Sequence, residues 1–326
     1  MGQRANLVIV RHQDWRLYYD HWCANRLDIE LFWGPRLAAE FIEQREPLSN
    51  RYDWLDEVWC EGAVVLDEDR QVLLWYGGED IEYDVPQRRA FLDLMKCQWQ
   101  GWEIRWATGG IVEVGAYVGL LADRFLVDKE PEERFAALTE YPEGNDTVLT
   151  IRRQGRCLAG RIYGDEEALE FGSSQLPMLL EVAREPSLRW TEDMPTGGLH
   201  IDMDAHSLHY WRANPAAGIE DRVRRGWSGW RTEWLGDHFE AQLGLASIEI
   251  QLPHREISDL QRSELHRLRQ CCTHLASNPA REIAPKLGVS KINPWTDVNR
   301  SSAGSETEKL QLLEVLESRV PIHQCR

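Results

Sequence analysis

The chain has 326 residues, 43% hydrophobic and 28% charged, which are the proportions of a globular protein large enough for two domains. Its formal net charge of −17 argues against general nucleic-acid binding, which needs a basic face. It lacks an apolar run of the roughly 18 residues that a membrane-spanning helix requires, so no membrane partner is expected. The first apolar run, Leu7–Val10, is too short for a signal-peptide core, which points to a cytoplasmic location.

In chain order, Leu7–Val10 and Arg16–Trp22 are β-rich and flank a turn near Gln13 and Asp14. Pro35 opens a helix at a position where its missing N–H costs nothing. Leu37, Phe41 and Ile42 supply the buried side of that helix, which should run to about Arg45. Trp54–Cys60 reads as a closing strand. A second hairpin spans Ala63–Asp67 and Val72–Tyr76, turning at Glu68–Arg70. Pro86 opens the next helix, which ends near Trp99, and Gly101 suits a helix stop. In the strand that follows, Trp102, Ile104 and Trp106 face one way while Glu103 and Arg105 face the other. Asp128–Asp146 is charged, contains Pro131 and Pro142, and reads as a linker.

Beyond the linker a hairpin covers about Val148–Ile162, and Pro177 opens a helix with Leu179, Leu180 and Val182. Leu188–Thr191 is expected as a strand, followed by a hairpin around Gly198, a helix over Ile219–Gly226 and a strand over Trp230–Trp234. Phe239–Leu243 would be one more strand. Ile257, Leu260, Leu265, Leu268, Cys272 and Leu275 mark an amphipathic helix. The polar run from Ser301 reads as a mobile connection, with Leu310–Leu316 forming a short final helix.

Three echoes relate the halves. WQGWEIRW at 99–106 matches WSGWRTEW at 227–234, pairing Trp99 with Trp227, Gly101 with Gly229, Trp102 with Trp230 and Trp106 with Trp234. The stretch from Gly62 matches the stretch from Gly197, setting Asp67 on Asp202, Asp69 on Asp204 and Leu73 on Leu208. More weakly, the stretch from Leu7 matches the stretch from Val148, setting Arg11 on Arg152, Gln13 on Gln154 and Leu17 on Leu158. Since the order is kept, the expected fold is α+β with an internal duplication. Each half would hold two hairpin-helix-strand (ββαβ-like) units in mainly antiparallel sheets, with a C-terminal helical segment added. The boundaries fall at 1–127 for the first half, 128–146 for the linker, 147–250 for the second half and 251–326 for the helix and tail. Repetition also makes the tryptophans core residues rather than a stacking platform.

Candidate chemistry is sparse. The seven cysteines, Cys23, Cys60, Cys97, Cys157, Cys271, Cys272 and Cys325, are odd in number and include no C-x-x-C pair, so reduced buried thiols are expected. His21 and Cys23 would share a strand face, where packing is the expected role. The chain has no G-x-S-x-G elbow, no H-E-x-x-H and no glycine-rich phosphate loop at Gly77-Gly78 or Gly109-Gly110, and no cofactor is expected. Arg88, Arg89, Arg222, Arg224 and Arg225 fall on expected helices, solvated or paired. His200, Asp202, Asp204 and His206, with His209 nearby, combine imidazole and carboxylate as transition-metal sites do. That segment, with Asp67 and Asp69, supports an alternative reading as a metal-dependent hydrolase of a nucleotide or phosphoester. The first half places Val65, Asp67, Asp69, Gln71 and Leu74 at the matching positions, which weighs against ligation, and Asp69 and Asp204 suit tight turns.

The acid is uneven, with eleven Asp or Glu and one base, Arg70, between Tyr52 and Asp84. Asp67, Glu68, Asp69, Glu79, Asp80, Glu82 and Asp84 could form an electrostatic docking face. In overall profile, acidic, Trp-rich, duplicated and without a catalytic signature, the chain resembles the immunity or antitoxin proteins with which bacteria neutralise toxins. That resemblance implies a non-enzymatic protein that binds a protein partner, such as a basic toxin domain. A pocket for a peptide or small ligand between the halves is a further expectation.

Overall fold

The computed structural model describes residues 3–127, 146–164, 166–191, 193–273 and 303–319. They form a mixed α/β architecture with two five-stranded sheets, a two-stranded ribbon and, among the described residues, eleven α-helices. None of these helices is long and apolar enough to cross a membrane. The linker expected at 128–146 lies outside the described residues except for Asp146.

In the first sheet β1 (Ala5–Arg11) and β2 (Asp14–Asp20) make a hairpin. Helices α1 (Leu27–Leu31) and α2 (Pro35–Glu43) follow, and β3 (Gly62–Asp67) returns parallel to β1. The β3–β4 hairpin is completed by β4 (Val72–Tyr76). After α3 (Glu79–Glu82) and α4 (Val85–Lys96), β5 (Glu103–Trp106) lies parallel to β4. The order is β2-β1-β3-β4-β5. The second sheet has the same order and strand senses. Its strands are β6 (Thr147–Arg153), β7 (Arg156–Ile162), β9 (Gly197–Asp202), β10 (Ser207–Arg212) and β11 (Arg231–Trp234). Helices α6 (Glu166–Glu170), α7 (Leu176–Val182) and α8 (Ile219–Gly226) supply its crossovers.

The sheets are therefore mixed, not mainly antiparallel. The reason is burial on both faces: Leu7, Ile9, Val64 and Leu66 pack under α1 and α2, while Val8, Val65 and Leu74 pack beneath α5 (Gly110–Tyr117) and Phe125. A strand covered on both sides need not alternate, which explains the continuous apolar runs of β1, β3 and β4.

Trp54–Cys60 is not a strand. Both sides of β1 are taken, by β2 and β3, and the segment is held without strand pairing: the Leu55 amide donates to Asn6 Oδ1 and the Glu57 amide to Phe125 O, each at 2.9 Å. Trp54 Nε1 donates to Arg51 O at 3.0 Å, and Asp56 Oδ1 accepts the amides of Val58 and Trp59. The first unit thus has no closing strand. Phe239–Leu243 belongs to a helix, α9 (Phe239–Ala246), in keeping with its Glu, Ala, Gln and Leu content and lack of β-branched residues. The Leu188–Thr191 strand shrinks to β8 (Leu188–Arg189), which pairs outside the main sheet with β12 (Ile250–Gln251).

Of the C-terminal helices, α10 (Ile257–Thr273) stacks on α4, and α11 (Glu306–Glu317) packs on α10 and pairs Glu308 with Arg36 of α2. Leu260, Leu265 and Leu268 are buried, but Ile257 is 62% exposed and Leu275 lies outside the described residues. The polar run after Ser301 contributes structure: Ser305 Oγ accepts the Glu308 amide as helix cap, and the Lys309 ammonium sits over the Trp33 ring.

The paired tryptophan motifs do the same work in both halves. Trp99 and Trp227 are buried at the ends of α4 and α8. Trp99 meets Trp102 edge to face at 5.2 Å and 77°, and Trp227 meets Trp230 at 5.1 Å and 82°. Gly101 and Gly229 turn the chain between them at φ of +82° and +83°, a region glycine enters without strain. We expect Trp99→Ala and Trp227→Ala each to cost about 3–5 kcal/mol in urea unfolding, and half-buried Trp102→Ala distinctly less. Equal losses at Trp99 and Trp102 would contradict this placement.

Candidate binding cleft between the sheets

The metal candidates are occupied with hairpin geometry. Asp204 accepts the amides of Gln154 and Gly155, both at 2.8 Å, just as Asp69 accepts those of His12 and Gln13 at 2.9 and 2.7 Å. Asp202 Oδ1 accepts the amides of Asp204 and Ala205, and Asp67 Oδ1 accepts that of Arg70. His206 holds a left-handed turn position, as Gln71 does in the first half, and its ring lies 4.9 Å from that of Trp230. His200 is buried with Nδ1 2.9 Å from Thr150 Oγ1, and burial pushes its pKa down to about 4. His209 faces Glu233 at 3.1 Å. Among the described residues no group of three or more His, Cys, Asp or Glu is arranged to hold a metal ion. Cys23 is buried just beyond the end of β2, and burial raises its thiol pKa well above the usual value, so it is not a thiolate near neutrality.

The acidic candidates separate into different tasks. Asp67 is buried and accepts the Tyr117 hydroxyl at 2.8 Å, while Glu68 grips Arg11 with both oxygens at 2.5 and 2.6 Å. Asp84 caps α4 through the Gln87 amide at 3.0 Å and pairs with Arg255. Asp80 lies 3.4 Å from Arg267, and Glu79 is exposed. Glu82 instead turns to a hollow between the two sheets.

That hollow measures about 210 Å³. The first half gives it Glu57, Val58, Cys60, Glu61, Tyr76 and Glu82, with Gly110 and Ile111 from α5. The second half closes it with Glu170, Arg212, the Pro215–Ala217 turn, Ile219 and Arg222. A second hollow of about 270 Å³ also touches Glu61 and Glu82, so these two carboxylates stand where the spaces meet. Tyr83 lines the second hollow and is 50% exposed, and Val58 of the first is 48% exposed. Trp59, next along the chain, is 53% exposed, with the Arg4 guanidinium 4.5 Å from its ring centre.

Local backbone chemistry aims Glu82. Gly77 and Gly78 follow β4 at φ of +121° and +95°. A Cβ at Gly77 would meet Ala24 O at 2.8 Å, and one at Gly78 would meet the Asp28 side chain at 2.8 Å. Only glycine permits this tight passage, which feeds the chain into α3 with Glu82 in its last turn. Burial, reinforced by nearby Glu61, pushes the Glu82 carboxyl up to about 7, against the opposing charges of Arg88 and Arg212. Glu57 is paired with Arg222, which also faces Glu170 at 3.7 Å. Burial raises the Cys60 thiol to about 11 and holds the Tyr76 phenol well above its usual value, so neither is ionised near neutrality. The cleft thus offers carboxylates and apolar walls, with no ready nucleophile among these residues.

Sequence reasoning named Glu82 but gave it no distinct role, and it did not single out Glu57, Glu61 or Trp59. It left Arg88 as solvated or paired; Arg88 proves fully buried, and its partners come from both halves. The available signal was that Arg88 falls on the same helical face as Val85, Phe91 and Met95, all buried. No known protein family, curated protein or solved structure matches the chain.

Because the folded-state pKa of Glu82 lies above the ordinary value of 4.5, its contribution to stability is complete below that value and is lost as pH rises through about 7. Glu82→Gln should therefore gain on the order of 2 kcal/mol over the parent protein between about pH 5 and pH 8 in denaturant titrations. Parallel stability curves for the two proteins would show that Glu82 is not held in this buried environment.

Proposed function

We propose that the protein is a non-enzymatic binding protein of the toxin-neutralising kind, which captures a basic protein partner at the mouth of the inter-sheet cleft. The observation that carries this is Trp59: among the described tryptophans it alone is exposed, and it stands next to acidic walls. Apart from the Arg4 guanidinium over its ring, the indole leaves half its surface in water, whereas Trp and Tyr are the usual anchors of interfaces. Val58 and Tyr83 extend the apolar contact, and the carboxylates of Glu61 and Glu82 would accelerate encounter with a cation. The docking face is thus narrower than the whole acidic stretch, since Asp67, Glu68, Asp69 and Asp84 are engaged within the fold.

The matching strand order of the two sheets and the repeated Trp-x-Gly-Trp turns support an origin by internal duplication. On that reading the cleft is the seam between two copies, and the partner is met in the cytoplasm.

The direct test is to mix the protein with candidate basic toxin domains, isolate any complex and assay each toxin's activity in cells with and without the protein. We expect a stable, salt-sensitive complex that protects the cells, and Trp59→Ala should weaken it by tenfold or more, about 1.4 kcal/mol, with Tm unchanged. Absence of a complex, with toxicity undiminished, would overturn the proposal.

A further inference from the structure

We infer that the hollow between the sheets is a receptor for one lysine side chain, which enters past Val58 and sets its ammonium between Glu61 and Glu82. This rests on reading the cleft mouth as the docking face and adds the chemistry that the partner must present there. The walls match an alkylammonium in two respects. Ile111, Ala216, Ala217 and Ile219 offer apolar surface for the methylene stem, while four carboxylates and only two guanidiniums, Arg212 and Arg222, supply the charge. Lysine buries its stem against apolar surface and keeps its head among polar groups in this way.

The charges do not cancel where the ammonium would sit. Arg222 is answered by Glu57, and Arg88 by Asp237 at 2.6 Å. With Glu170 also on the wall, four carboxylates oppose two guanidiniums, so an added positive charge reduces an excess of negative charge and draws Glu82 toward its ionised form. Glu61 is held in place by the Arg4 backbone N–H, which donates to its Oε2 at 2.7 Å. About 210 Å³ is ample for a butylammonium chain. A compact ammonium can reach both carboxylates at once, whereas a planar guanidinium asks for one carboxylate aligned in its own plane.

The test uses the full chain and three free probes: Nα-acetyl-lysine methylamide, its Nε-acetylated form and Nα-acetyl-arginine methylamide. Binding is followed by NMR on the Ile111 and Ile219 methyl groups. The lysine probe should shift both methyls with a Kd on the order of 1 mM, as suits a single side chain. Nε-acetylation, Glu82→Gln and a hollow-filling Ala217→Leu should each weaken it about tenfold or more. Glu82→Gln retains the shape of the wall, so the test stands even if Ala217→Leu misfolds. No shift at saturating probe, equal binding of the acetylated form, or tighter binding of the arginine probe would overturn the assignment. Partner capture measured in parallel separates the failures. If the complex forms and depends on Trp59 while the lysine probe is silent, only the lysine receptor fails. If the probe binds but no basic partner is captured, it is the docking reading that fails.

Discussion

Arg88 is the constraint on which the cleft depends. Its guanidinium is fully buried, and one nitrogen reaches the carbonyls of Ile81, Glu82 and Ala213 at 3.2, 2.9 and 2.9 Å. The second terminal nitrogen, Nη2, meets Asp237 at 2.6 Å, and the group lies 4.5 Å from the centre of the Trp106 ring. A buried charge is tolerated only when paired and hydrogen-bonded, and here its partners come from both halves. Desolvation lowers the Arg88 pKa, opposed by Asp237, whose own carboxyl is held below its usual value by Arg88 and Arg89 despite its burial. One side chain therefore fixes the end of α3, the turn after β10 and the loop after β11 relative to one another.

Those three segments set the cleft. Holding the carbonyls of Ile81 and Glu82 fixes the turn that carries the Glu82 carboxyl, and holding Ala213 O fixes the start of the segment that places Pro215, Ala216 and Ala217 opposite. Arg89 with Glu240 and Arg222 with Glu57 tie the seam on either side. The C-terminal helices brace the same turn from behind: Arg267 pairs with buried Asp28 at 2.7 Å, and Asp28 fills the space that a side chain at Gly78 would need. Burial pushes the Asp28 carboxyl up to about 6 even with Arg267 beside it. Stabilising contacts and a partly desolvated carboxylate are thus two aspects of one arrangement.

The sequence carried the local part of this well. Pro35, Pro86 and Pro177 opened helices where expected, the Ala63–Tyr76 hairpin lies within a residue of its expected bounds, and Trp102, Ile104 and Trp106 share the buried face. Parallel pairing was hidden because it depends on which strand β3 lies beside, and neither β1 nor β3 encodes that in its own pattern. Trp54–Cys60 reads as a strand, but Asp56 and Glu57 interrupt it and the Asp56 side chain accepts the amides of Val58 and Trp59 that a ladder would need. The cleft was less legible still. Residues far apart in sequence line it, and the same carboxylate chemistry serves as a turn at Asp69, a cap at Asp84 and an unusual buried acid at Glu82. Only tertiary surroundings distinguish them.

The claim that Arg88 couples the halves is most directly tested by hydrogen exchange on Arg88→Met, which keeps the apolar stem and removes the charge and its hydrogen bonds. Loss of the pin should speed amide exchange together at Gly78–Tyr83 in the first half and at Ala213–Ala217 in the second, while the β1–β2 and β6–β7 hairpins remain protected. Faster exchange confined to α4, with the second-half turn unchanged, would mean that the halves hold their places without Arg88 and that the cleft does not depend on it.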